Sequence, residues 1–225
     1  MSANAPVTPT LARLATVLPP YGKFRLDGTL DAARVAIGDR PDLTNLEHAA
    51  ELLAWLNKWQ CRIRKPRSGE VNFFADSLED WWKTFEGELP SVTVGLAQMS
   101  DAELQRLSGA YADLYMRTGA VSTNGRRRGV GPTAAAKLLY FVRPKGVTAW
   151  DKAISMRTGG GRNGEAFLKH LTLCRRWAES IEAEGQQLGL KADEIGPHLG
   201  RPKSSVAKLI DEWLYGTITG GFGSR

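Results

Sequence analysis

The sequence predicts an all-α fold, on three observations. Apolar residues recur at helical spacing along most of the chain, two of those stretches open on a Ser/Thr-x-x-Glu capping box, and neither a convincing strand alternation nor an internal repeat is present. Residues 1–10 (MSANAPVTPT) are small, polar and proline-bearing, which predicts a disordered lead-in. A short helix over 11–18 follows, ended by Pro19 and Pro20. Thr44 with Glu47 makes a capping box for a helix running to about Trp59, with Leu46, Ala50, Leu53 and Leu56 at helical spacing. A basic connector carrying Arg62, Arg64, Lys65 and Arg67 leads to a helix opened by Ser77, containing Trp81, Trp82 and Phe85 and broken by Pro90. Ser100 with Glu103 is the second box, and Leu104, Leu107, Tyr111 and Leu114 mark one face of a helix that stops near Gly119. A polar, glycine-containing stretch precedes Gly129, Val130, Gly131 and Pro132, after which AAAKLLYFV is strongly helical up to about Pro144. Thr148 begins a helix to about Met156, and Gly159, Gly160 and Gly161 separate it from a longer one around 166–184. Two further helices, at 192–199 and 205–215, complete a single compact domain over 11–225 whose C-terminal helix pair spans about 191–215.

Composition narrows the function classes. The 225 residues are 42% hydrophobic and 24% charged, ordinary values that argue against disorder beyond the ends. Thirty Lys and Arg against 24 Asp and Glu leave +6, which suits a polyanionic partner through counterion release. The two cysteines, Cys61 and Cys174, lack CxxC spacing and histidine companions, too few ligands for a zinc or iron–sulfur site; they read as reduced thiols of a cytosolic protein, with a pairing as the alternative. His48, His170 and His198 show no metal-ligand spacing. No apolar run reaches the roughly 18 residues of a membrane span, and the N-terminus lacks a secretory pattern. The expectation is a cytoplasmic monomer with no cofactor and no metal.

RRRGVGPTAAAKLL concentrates the chemistry. Glycines at 129 and 131 permit a tight turn, Pro132 suits a helix's first position, and unpaired amides at a helix start attract an anion. Arg126, Arg127 and Arg128 add positive charge before the turn, making a phosphate clamp of Gly129, Val130 and Gly131 with those arginines. The same features also fit a helix–loop–helix corner with a solvated charge run.

GVGPTAAAKLLYFVRPKGVTAWDKAI resembles the helix-hairpin-helix core of the DNA glycosylase superfamily: a GVG turn, a helix, a proline-containing turn, then an aspartate opening the next helix. The resemblance covers about 126–157 and implies a helical glycosylase-like fold, DNA as partner, and Asp151, 20 residues after Gly131, as the catalytic carboxylate. Bifunctional members carry a Schiff-base lysine two residues after the second glycine; Thr133 stands there, which implies monofunctional hydrolysis to an abasic site. Lys137, one turn on, is a DNA-contacting candidate beside Thr133. The stretch before the turn is longer and more polar than in the family, and the iron–sulfur cysteines of some members are missing. Some compact bacterial chains of this pattern attack hypermodified bases, including modified cytosine, in phage DNA, so the resemblance extends to antiviral defence as well as base excision.

In that chemistry Asp151 stabilises positive charge developing on the deoxyribose and orients the attacking water, at a helix start where the dipole favours negative charge. Thr148-x-x-Asp151 is also close to a capping box, so the aspartate fits a cap equally. A base inside a duplex must be flipped out to be reached, and among the seven tryptophans Trp150, Trp55 and Trp59 are candidates for the receiving pocket, against a core role. ADEIGPHLGRPKSSVAKLIDEW resembles a helix-turn-helix reader, with Lys203, Ser204, Ser205 and Lys208 toward a groove, which would make the chain a non-catalytic DNA-binding protein; a plain packing pair is the alternative for these helices, and a structural helix-hairpin-helix module that holds DNA for a partner enzyme is a third class.

Overall fold

The computed structural model describes residues 6–20, 27–38, 40–61, 63 and 71–220. Ten α-helices dominate the described residues. They are α1 (Leu11–Val17), α2 (Asp27–Ile37), α3 (Leu46–Lys58), α4 (Phe74–Phe85), α5 (Asp101–Met116), α6 (Pro132–Val142), α7 (Lys152–Thr158), α8 (Gly164–Gln187), α9 (Ala192–His198) and α10 (Val206–Thr219). Three short strands, β1 (Val71–Asn72), β2 (Thr118–Val121) and β3 (Arg127–Gly129), form an antiparallel ribbon in that order, with Val71 opposite Val121 and Val121 opposite Arg127. At two to four residues each, these strands are too short to print an alternation on the sequence, which is why none was expected.

One hydrophobic core runs through the described chain. At its centre lie α6, buried from Ala134 to Val142, and α10, buried from Val206 to Leu214. The long helix α8 packs against both α5 and α10. The capping box on α5 is formed as expected: the Ser100 hydroxyl accepts from Glu103 N, and the Glu103 carboxylate accepts from Ser100 N at 2.8 Å.

Several local expectations shift. The cap of α3 is Asn45, whose side chain accepts from Glu47 N and His48 N, while Thr44 donates to Asp42 instead. The buried face of α3 is Ala49, Leu52, Trp55 and Leu56, and Leu46 is exposed; the helix has two apolar stripes and buries the one that carries the large indole. Ser77 lies inside α4, its hydroxyl donating to the Thr118 carbonyl of β2, and Asn72 accepts the Phe74 N–H at the helix start. Helix α2, with Leu30, Ala33 and Ile37 inward, has no counterpart among the expected elements. Residues 6–10 are tied down, since the Val7 carbonyl accepts from Trp213 Nε1 and Thr10 caps α1; residues 1–5 of the expected lead-in lie outside the described residues, as do Arg62, Arg64, Lys65 and Arg67.

Both cysteines are free thiols, and burial pushes Cys174 up to about 12. Among the described residues no helix is long and apolar enough to cross a membrane, and no group of His, Cys, Asp or Glu is placed to hold a metal.

Candidate functional site

The GVG turn is built against the end of α5. Gly131 has φ +87°, a left-handed conformation that suits glycine, and Pro132 follows at the start of α6. The Val130 N–H donates to the Arg117 carbonyl at 2.8 Å and the Gly131 N–H to the Tyr115 carbonyl at 3.1 Å, so the α5 terminus and the turn satisfy one another. This corrects the expectation that these amides face a phosphate. The first turn of α6, which has no side-chain cap, is left as the local anion-attracting end. The long polar stretch before the turn is the β2–β3 ribbon, on which Arg126, Arg127 and Arg128 are exposed.

Twenty residues on, Asp151 is the N-cap of α7, and its Oδ1 accepts from Ile154 N at 2.9 Å. The helix thus starts at Lys152 rather than at Thr148. The second carboxylate oxygen has no partner among the described residues, and Asp151 is half-buried. It opens on a cavity of about 320 Å³ enclosed by the end of α3, the first turns of α6, the start of α7 and one face of α10. Lys137 and Thr133 from α6 line this cavity with it, as do Trp59 and Trp150.

Each wall has a physical reason for its position. Trp59 ends α3, its indole N–H donating to Thr29 of α2 at 2.7 Å, and the next residue, Gln60, turns left-handed at φ +60° so that Cys61 N closes on the Leu56 carbonyl. Trp150 is buried against Tyr111, Phe167 and His170 and forms the cavity floor. Gly159, just beyond α7, meets the Ala166 backbone so closely that a Cβ would lie 2.3 Å from its carbonyl oxygen; the glycine lets α7 lie on α8. Trp55 does not line the cavity: it is buried against Trp59 and Phe141 and belongs to the core.

Thr133 accepts from Arg162 Nη2 at 2.6 Å, and the Arg162 carbonyl accepts from the Tyr111 hydroxyl, so Arg162 braces α6 against α5. Arg162 carried no signal in the sequence beyond a charge after a glycine run. Lys208 and Asp211 of α10 were equally unforeseen as cavity residues. Lys208 Nζ donates to Asp211 at 2.7 Å and lies 5.3 Å from the Trp59 ring centre. Burial works against its charge, but Asp211 and Glu212 outweigh it and hold the ammonium above its ordinary range.

These contacts remove the helix-turn-helix arrangement. Lys208 and Ser204 are buried, Ser205 caps α10 while donating to the Pro144 carbonyl, and Lys203 pairs with Asp31. A helix buried from Val206 to Leu214 has no face to lay in a groove. The pair packs instead.

No family model, curated protein or solved structure matches this chain.

Behind the cavity floor, His170 clamps the segment that carries Asp151. One imidazole nitrogen bonds the Thr148 hydroxyl, in the segment leading to Asp151, and the other the Thr158 hydroxyl at the end of α7, both at 2.8 Å. Burial holds the imidazole down to about 4, against an ordinary 6.5. The unfolded chain therefore takes up a proton between pH 6.5 and 4 that the folded chain refuses, and stability falls as pH drops through that window. At most about 3 kcal/mol is involved. Urea unfolding at pH 7.5 and 5 is expected to show a larger loss in the parent than in His170→Gln; equal losses would show that the clamp does not carry this proton linkage.

Proposed function

We propose that the chain is a monofunctional DNA glycosylase, cutting the N-glycosidic bond of a flipped-out damaged or modified base and leaving an abasic site. One juxtaposition carries it: a carboxylate with one committed and one uncommitted oxygen opens on a cavity that also holds indoles and a buried lysine and is lined by the first turns of the helix that follows the glycine turn. A volume of about 320 Å³ falls in the roughly 300–1,000 Å³ range of ligand pockets. Asp151 stands at the sugar, where positive charge develops as the bond to the base breaks, and orients the water that attacks the anomeric carbon. Trp59 and Trp150 supply the apolar walls a flipped base needs. With Thr133 in the lysine's place and its hydroxyl occupied by Arg162, hydrolysis rather than Schiff-base chemistry follows. The backbone is met by the start of α6 and by the exposed arginines of the β2–β3 ribbon.

The protein works on DNA in the cytoplasm, and phage hypermodified bases, cytosine derivatives among them, stand beside ordinary lesions as substrates. Incubating the purified chain with duplexes bearing alkylated, oxidised, deaminated and phage-modified bases, and scoring alkali-labile sites and released base, tests this directly. Alkali-labile sites are the expected product. Binding with no base released from any duplex would leave a non-catalytic DNA-binding module.

A further inference from the structure

Lys137 carries a charge that no carboxylate among the described residues answers. It is 9% exposed on the cavity wall, its Nζ donates to the Trp59 carbonyl at 2.9 Å, and the ammonium lies 4.9 Å from the centre of the Trp59 ring. The Cys61 thiol is its other neighbour. Among the described residues Lys137 makes no ion pair, although Asp151 lines the same cavity. The two other cavity lysines differ: Lys58 is exposed, and Lys208 is bonded to Asp211. A buried ammonium whose neighbours are a carbonyl, a thiol and a π face, with no carboxylate among the described residues, is poorly compensated, and a ligand that gains negative charge in the cavity completes it.

We infer that Lys137 stabilises the departing base as it takes up negative charge, so that the substrate is a neutral, carbonyl-bearing base and not a cationic N-alkylpurine. This rests on the glycosylase reading and assigns the two ends of the breaking bond to different residues. As the bond between the anomeric carbon and the base nitrogen breaks, the electron pair goes to the base, next to Lys137. The electron-poor carbon is left beside Asp151. Water adds its oxygen to that carbon and passes a proton to Asp151, and the base nitrogen receives a proton from Lys137 or solvent. Proton exchange through water resets both side chains, so one water is consumed, its hydroxyl on the sugar and its hydrogen on the base. A base that already carries positive charge leaves neutral and gains nothing from Lys137. It would also be repelled by the ammonium of Lys137, which, unlike Lys208, has no carboxylate beside it among the described residues.

Single-turnover release from duplexes carrying uracil, 8-oxoguanine, phage-modified cytosine or 7-methylguanine tests the assignment, using the full chain, Lys137→Met and Lys137→Arg. The parent is expected to release at least one neutral base and to leave 7-methylguanine in place. Lys137→Met should lose about 10²-fold, the magnitude typical of one preorganised electrostatic contact, and Lys137→Arg should recover most of it. Preference of the parent for 7-methylguanine, equal rates in parent and Lys137→Met, or borohydride trapping of DNA on Lys137 would each overturn the inference while leaving a glycosylase. Absence of any release by the parent would instead remove the glycosylase reading and this assignment together, an outcome recognisable without the variants.

Discussion

Asparagine at position 151 is expected to preserve folding and DNA affinity while lowering single-turnover base release by about 10²- to 10³-fold. The choice of substituent separates the cap that Asp151 forms from the catalytic role proposed for it. Asp151 Oδ1 caps α7 through the Ile154 N–H, and an asparagine side-chain oxygen accepts that bond equally well. The helix, the His170 clamp behind it and the cavity wall should therefore survive. Only the negative charge facing the cavity disappears. Alanine would remove both, with about 1 kcal/mol of stability lost with the cap, so a stability loss in Asp151→Ala but not in Asp151→Asn isolates the structural role. Unfolding midpoints and DNA titrations on the same preparations supply the controls. Equal activity in parent and Asp151→Asn would show that the carboxylate is a cap alone and sink the catalytic assignment.

That Asp151 stands at the start of a helix was legible from the glycine turn, the helix after it and the connector, although α7 begins just after Asp151 and not at Thr148. The α5 cap was legible too, since Ser100 and Glu103 complete each other within one turn. What could not be read depends on which elements meet. Trp55 and Trp59 are four apart and carry the same local signal, yet one is core and the other cavity wall, a difference decided by Phe141 and Lys137 of α6. Lys208 with Asp211 and Glu212 has the spacing of a solvent-facing ion pair, and only the packing of α10 at the centre of the fold buries it. The Val130 and Gly131 amides looked available because their acceptors are the last carbonyls of α5, brought back by a ribbon whose strands leave no periodic trace.

A second large effect is expected far from the cavity mouth. Arg201 is wholly buried and joins segments nearly the length of the chain apart: its guanidinium donates twice to Asp27 of α2 at 3.2 Å, to the Pro19 carbonyl at 3.0 Å and to Glu212 of α10. Removing the guanidinium takes a buried charge partner away from both Asp27 and Glu212. Arg201→Met is therefore expected to destabilise by about 3–5 kcal/mol. The pH dependence of that deficit identifies its cause. Burial pushes the Glu212 carboxyl above its ordinary range, with Lys208 and Arg201 opposing the shift; without the guanidinium it rises further, and protonation relieves the stranded charge. The gap between parent and Arg201→Met, measured by urea unfolding, should narrow from pH 7.5 to pH 5, and the common His170 contribution cancels in the difference. A gap of the same size at both values would assign the loss to packing around the arginine stem and not to the carboxylates deprived of the guanidinium. Because Glu212 also stands 3.6 Å from Lys208 on the cavity wall, Arg201→Met should disturb base release as well, and Asp27→Asn, which leaves Arg201 bonded to Glu212, should do so less.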